Sequence, residues 1–596
     1  MKFTTPLILF TLLALPLCAE ETKTVKLTLS PETTYLIEPQ LSDGRIDYLA
    51  ALNKQLAAQT TPEKNLLAGV FSLITGEEEA KLLTALPETA TEEHKRAEEA
   101  RRTYRERFWK MIGADAPPLN SLVDICPVYL STKDYEKTLL EFYSKADLTP
   151  MVEQQREREK HHCKSLFDDG KMTKEEYEAE IKRIETETPD WYYRDIIQDQ
   201  WIESWTHTWT AKEYPYLAKW LATTDDLTSK LIAMSQQRTG YYHPCLSYQE
   251  TSQLPYSILL PYVQSLRYTA RFFSMRGNFE FARGNVDQAM ECGFASVRMG
   301  RTMRTGAGSI VEDLVGIAMT SMANYQLTTY LADLPKETKA AWILQKKREY
   351  DAIETAIGPL PRLPIWCSAE RFGALAVVQT LAIEPDSAHG FFKDILDATD
   401  DAEFLAQYEQ LFASGKEYDW NEILKRVNFV YDGLEDIYLL PNWQRRLRAA
   451  KRFEQHMDDY ADSANETPER KMSAFLCKHY IIPSVEPVTI ALTRIEWDSR
   501  ITSVSFALAA YRADSGGYPD TLAQLVPKYL DKVPDSPFTD KPLRYIKRSH
   551  DILITNDDAY KLDGSEEEVE AEIAEAQPGG RAFPSARSFM FVVTKF

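Results

Sequence analysis

From about Ile46 to Arg512 apolar residues recur three and four positions apart with only short interruptions, the spacing that gives amphipathic helices. Ahead of this region Val25, Leu27 and Leu29 alternate with Lys26 and Thr28, which predicts one strand. Between Ala90 and Gly113 a charged helix carries an apolar stripe through Phe108 and Met111. Residues 149–187 predict a projecting αα-hairpin, with a turn at Asp168-Asp169-Gly170 and a capping box of Thr173 and Glu176. A second hairpin turns at Gly284-Asn285, and Ser309 caps the helix that begins at Ile310. Further helices are expected at 402–412, 420–434, 443–460, 473–480 and 488–512.

The pattern changes after Tyr511. Gly516-Gly517 stops the long helix, Asp520 or Thr521 caps a short one through Leu522 and Leu525, and prolines lead to a strand at Leu543-Arg544-Tyr545. Phe589-Met590-Phe591-Val592-Val593 predicts a buried closing strand after an acidic helix at 566–576 and a Pro-Gly-Gly loop. The predicted fold is therefore mainly α, irregular stacked helical hairpins with a small C-terminal α+β module. Residues 1–19 form a signal peptide, 20–250 an N-terminal helical region, 251–484 a helical-hairpin domain, and 485–596 the long helix with its module.

Two resemblances follow from these segments. The stretch ALAAYRADSGGYP through LVPKYLDKVPDSPFTDKPLRY resembles the globular part of type II secretion major pseudopilins. More closely, it is similar to the C-terminal module of large exported proteins of Planctomycetes and Verrucomicrobia. ARGNVDQAMECGFASVRMGR, the SIVEDLVGIAM helix, LPRLPIWCSAERFGALAVVQTLA and DWNEILKRVNFVYDGL resemble that second group too, so the likeness runs from about 210 to 560. It implies a pseudopilin-like module and an exported lineage, without an activity. The segment after Gly284 resembles a tetratricopeptide hairpin, but no 34-residue period repeats along the chain. The N-terminus lacks a prepilin cleavage pattern, and the helix before the module carries Arg494, Glu496, Asp498 and Arg500. Both features exclude a filament subunit.

Charge narrows the partners. With 69 Lys and Arg against 90 Asp and Glu the chain carries −21, which argues against nucleic acid and anionic membrane surfaces. Lys2 followed by the apolar run Pro6 to Leu17 predicts export with cleavage after Ala19, and Cys18 offers a lipid anchor as the other reading. No later stretch is apolar enough to span a membrane. Cys126, Cys163, Cys245, Cys292, Cys367 and Cys477 form no CxxC pair, leaving buried thiols or one or two long-range bridges.

Candidate chemistry is sparse. No HExxH, GxSxG or phosphate loop occurs, and Gly306-Ala307-Gly308-Ser309 follows a helix where a phosphate cradle needs a strand. His161-His162-Cys163 sits on a charged helix whose adjacent residues diverge. Tyr242-His243-Pro244-Cys245 falls in a loop. Trp201, Trp205 and Trp209 lie four apart, a core stripe or a sugar-stacking platform. Glu312 and Glu370 are the candidates for paired catalytic carboxylates, each beside apolar neighbours; structural ion pairs and helix caps are the alternative for Glu370-Arg371 and Asp419. Asp557, Asp558 and Asp563 form an oxygen-rich run suited to calcium, or a solvated acidic turn. The expectation is a non-catalytic exported protein that binds a protein or glycan in the cell envelope. The competing expectation is a secreted helical hydrolase of extracellular glycan or peptide.

Overall fold

A computed structural model gives the fold and describes residues 27–74, 91–123, 125, 135–246, 260–358, 360–383, 418–462, 467–477, 485–547, 551–555 and 590–594. The chain is mainly helical. Eighteen α-helices precede a three-stranded antiparallel sheet among the described residues. The N-terminal helices are α1 (Tyr48–Ala57), α2 (Leu66–Phe71), α3 (Glu92–Ile112), α4 (Tyr135–Leu140), α5 (Lys145–Asp168), α6 (Lys174–Thr186), α7 (Asp190–Ser204), α8 (Pro215–Ala222) and α9 (Asp225–Gln237). There follow α10 (Pro261–Ala282), α11 (Val286–Thr305), α12 (Ile310–Ala332), α13 (Ala340–Ile357) and α14 (Ile365–Ile383). The last are α15 (Trp420–Leu439), α16 (Trp443–Asp462), α17 (Pro468–Leu476) and α18 (Val485–Ser515).

Three apolar clusters hold these elements together, and α12 contributes to all of them. Val315 and Met319 face a cluster built on α2, α3 and α7 to α11. Ile317 faces one built on α1, α14, α15, α17 and the start of α18. Ala323, Leu327 and Tyr330 face the third, which joins α11 and α13 to the far half of α18 and the sheet. A helix with apolar residues on most sides belongs largely in an interior, and α12 takes that place, with Val311 and Tyr325 left exposed. It can lie close to α11 because Gly300 and Gly316 meet where they cross: a Cβ on Gly300 would stand 2.5 Å from the Gly316 carbonyl oxygen.

The hairpins form where the capping signals sit. Thr173 and Glu176 exchange both capping-box hydrogen bonds at the start of α6, and Gly170 takes φ +69° in the turn before it. Gly284 takes φ +82° between α10 and α11, and the Ser309 hydroxyl accepts from the Glu312 amide at the start of α12. α18 ends at Gly516, φ +78°, and Thr521 with Gln524 caps the short turn Leu522–Leu525. Strand β1 (Arg544–Lys547) pairs with β2 (Asp551–Thr555), and β2 with β3 (Met590–Thr594), both antiparallel. The closing strand therefore lies where its apolar run predicts it.

Some expectations need correction. Val25 and Lys26 of the expected strand lie outside the described residues, and Leu27 to Leu29 pair with no strand among the described ones; the Thr28 amide donates to Asn421 Oδ1 of α15. Leu27 and Leu29 turn into the second cluster. Met111 is exposed, and the buried stripe of α3 runs through Tyr104, Phe108 and Ile112, four apart. α7 stops at Ser204, so Trp205 is its cap and Trp209 lies beyond it. Trp201 and Trp209 are nonetheless buried, and the Trp209 indole N–H donates to the Met275 carbonyl 3.2 Å away, which makes this a core assembly. Cys163, Cys245, Cys292, Cys367 and Cys477 are buried free thiols. The predicted helices at 402–412 and 566–576, residues 1–19, Cys18 and Cys126 lie outside the described residues.

Candidate functional site

The first four amides of a helix have no partner within it and attract negative charge. At the N-terminus of α12 that demand is met in the protein interior, and three carboxylates meet it or stand beside it. Glu312 is 1 % exposed. Its Oε2 accepts from the Gly308 amide at 2.9 Å and the Ser309 hydroxyl at 3.1 Å, while Oε1 accepts from the Tyr241 hydroxyl at 2.7 Å. Glu370, arriving from α14, stands by the amide of Ile310, whose pull on its carboxylate is outweighed by burial. Asp313 takes Arg304 Nε at 2.8 Å on one oxygen and the Trp366 indole N–H at 2.9 Å on the other. The two candidate carboxylates thus converge on one helix end.

Burial has a price in ionisation. Desolvation pushes the Glu312 carboxyl up to about 7 despite its three hydrogen-bond donors, and pushes Glu370 up to about 7 as well. Glu370 keeps some exposed surface, so its carboxyl is the less completely enclosed of the two.

His243 completes the surroundings of Glu312. The loop 240–246 carries it into the core between Phe108 and Tyr262, ring centroids 5.6 and 6.2 Å away. Its Nδ1 stands 3.7 Å from Glu312 Oε1, and neither ring nitrogen has a hydrogen-bond partner. Proximity alone would suggest an ion pair. Burial pulls the imidazole down to about 3, so it is neutral and the contact is not a salt bridge. Cys245 in the same loop is buried, and its thiol is pushed up by desolvation first and by Glu312 second. A thiol so disfavoured as thiolate is no nucleophile. The sequence shows each of these residues, yet spacing along the chain gives no sign that a loop near 243 meets a helix start near 312.

No protein-family model, no curated protein and no solved structure matches the chain.

The remaining candidates disperse. His161 and His162 are exposed on α5 while Cys163 turns inward. Asp419 caps α15, accepting from the amides of Asn421 and Glu422. Arg371 pairs not with its neighbour Glu370 but with Asp432 Oδ1 at 2.8 Å and Glu435 Oε1 at 3.1 Å on α15. Asp557, Asp558 and Asp563 lie outside the described residues, and among those described no group of three His, Cys, Asp or Glu is placed to hold a metal. No described helix is long and apolar enough to cross a membrane.

A groove that the sequence does not announce opens on the side of α15. It encloses about 500 Å³ between the turn at Pro31 to Tyr35, Arg371 of α14, and Lys425, Asn428, Phe429 and Asp432 of α15. Asn428 Nδ2 ties the turn to the helix by donating to the carbonyls of Thr33 at 2.7 Å and Glu32 at 3.2 Å. Tyr35 closes the turn at φ +60°, a left-handed conformation that costs a bulky side chain about 1–3 kcal/mol. The guanidinium of Arg371 lies 4.3 Å from the Tyr35 ring centroid and holds that ring at the rim.

Proposed function

We propose that the protein is a non-catalytic exported binding or scaffold protein of the cell envelope, with an irregular helical body that carries a pseudopilin-like module. The observation that carries this reading is the fate of the two candidate carboxylates. Glu312 is sealed under Tyr241 and the Gly308 backbone and so serves the fold at α12, and Glu370 lies beside the same helix start at Ile310. A general acid or base must reach the proton it transfers, and Glu312 is enclosed by its own hydrogen-bond donors. The tetratricopeptide-like reading of the middle region draws support from the tight turn at Gly284 and the close crossing of α11 and α12. The pseudopilin-like reading draws support from a 31-residue helix followed, after a short helical turn and a turn-rich stretch, by a small antiparallel sheet.

A hydrolase acting through paired carboxylates is the competing reading. One observation favours it: two carboxyls poised near pH 7 sit at the same helix end. Incubating the purified protein with envelope glycans and peptides, and following product release by mass spectrometry, decides between them. No release is expected. Turnover that Glu370→Gln or Glu312→Gln abolishes would replace the binding reading with the catalytic one.

A further inference from the structure

We propose that the groove between the turn at Pro31 to Tyr35 and helix α15 is a binding site for a neutral saccharide chain, which deepens the binding reading and rests on it. Four features of the groove carry the assignment. The first is a polar lining that holds donors and acceptors side by side. Lys425 can donate and Glu32 and Asp432 can accept along the groove, while Arg371 and Asn428, 1 % and 5 % exposed, form its buried part and already bond Asp432, Glu435 and the carbonyls of Glu32 and Thr33. A sugar hydroxyl, which donates and accepts at once, suits such a mixed lining.

The second feature is an aromatic pair at the rim. Phe429 is 76 % exposed, the most exposed large apolar side chain in the described structure, on a helix that buries most of its apolar residues. Tyr35 stands opposite with one ring face covered by Arg371. Exposed rings beside polar groups suit ligands that present C–H faces and hydroxyls together. The third is charge. Glu32 and Asp432 offset Lys425 and Arg371 along the lining, so the groove selects neither a polyanion nor a polycation. The fourth is size, since about 500 Å³ lies within the usual range for small-molecule sites.

The decisive experiment is calorimetric titration of the intact protein with cellohexaose, maltohexaose, xylohexaose and chitohexaose, with polygalacturonate and polyglutamate as anionic probes. At least one neutral hexasaccharide is expected to bind. Phe429→Ala, which removes only an exposed ring, should weaken that binding about tenfold. Tyr325→Ala, an exposed ring on α12, should leave it unchanged. Absence of binding by all four neutral chains, preference for either anionic probe, or equal loss in the Tyr325 variant would overturn the proposal. Its failure is distinct from failure of the binding reading: sugar release would sink that reading and leave the groove assignment standing, whereas silent titrations with no product release do the reverse.

Discussion

The carboxyl of Glu312 should contribute, beside that of Glu370, to the fall of stability towards alkaline pH, and Glu312→Gln should remove its share. Glutamine stands in for the protonated acid, neutral and of the same shape, and can still accept from Tyr241. The wild-type carboxyl titrates at about 7 in the folded protein against 4.5 when exposed. Between those values the native state holds a proton that the unfolded state has released, so stability falls as pH rises through the window. At 1.36 kcal/mol per pH unit the loss is about 3 kcal/mol, complete above about pH 7. His243 acts in the opposite sense. It titrates at about 3 folded and 6.5 unfolded, so its contribution is fully present above 6.5 and drains away as pH falls towards 3. From 4.5 to 6.5 the two slopes of this pair oppose each other. The two groups face Tyr241, Cys245, Phe108 and Tyr262; Glu370, raised to about 7 beside the same helix start, is present in wild type and variant alike and drops out of the comparison. Urea midpoints measured every half unit from pH 4.5 to 8 for wild type and Glu312→Gln should diverge. The variant, relative to wild type, should be about 3 kcal/mol better off at pH 8 than at pH 4.5. Parallel profiles would refute the assignment of a raised, buried carboxyl.

Other consequences are local. Gly300→Ala places a methyl 2.5 Å from the Gly316 carbonyl oxygen, where backbone must move, and should lower stability by about 1–3 kcal/mol in thermal melts. Asp419→Ala frees the amides of Asn421 and Glu422 and should cost about 1 kcal/mol, read in the same melts. Trp366→Phe leaves an Asp313 oxygen without its donor and should cost about 1–3 kcal/mol, whereas restoring a tryptophan by reversion recovers it. If Asp557, Asp558 and Asp563 hold calcium, melting of the purified protein rises in calcium and falls in chelator; identical melts remove that proposal.

How much of this was legible in the sequence depends on the range of the interaction. Thr173 with Glu176, Ser309, Gly284 and Gly516 each act within a few residues, and each ends or starts a helix where local chemistry places it. Periodicity carries burial almost as well, as the stripe through Trp497, Ile501, Val504 and Leu508 of α18 shows. It fails where burial and pairing separate. Leu27 and Leu29 alternate like a strand, yet they pack against a helical cluster while the Thr28 amide bonds Asn421, and no spacing rule distinguishes a helix from a neighbouring strand as the covering surface. The site fails for a different reason. Glu312 and His243 are 69 positions apart and meet only because α12 crosses the interior while a loop without regular structure enters it.

The groove and the carboxylate cluster together show why exposure, more than residue type, separates function from structure in this chain. Glu312, Glu370, His243 and Cys245 are the residue types of catalysis, and the fold spends them on a helix end and a core. Arg371, Asn428, Tyr35 and Phe429 belong to no catalytic pattern, yet they line a groove at which the rings of Tyr35 and Phe429 face solvent. A left-handed tyrosine adds strain at the same place. An exposed ring and a strained turn both cost free energy in the unliganded protein, and a bound sugar ring would cover the first and give a use to the second. The opposite holds at α12, where every carboxylate oxygen accounted for already answers a donor of the fold.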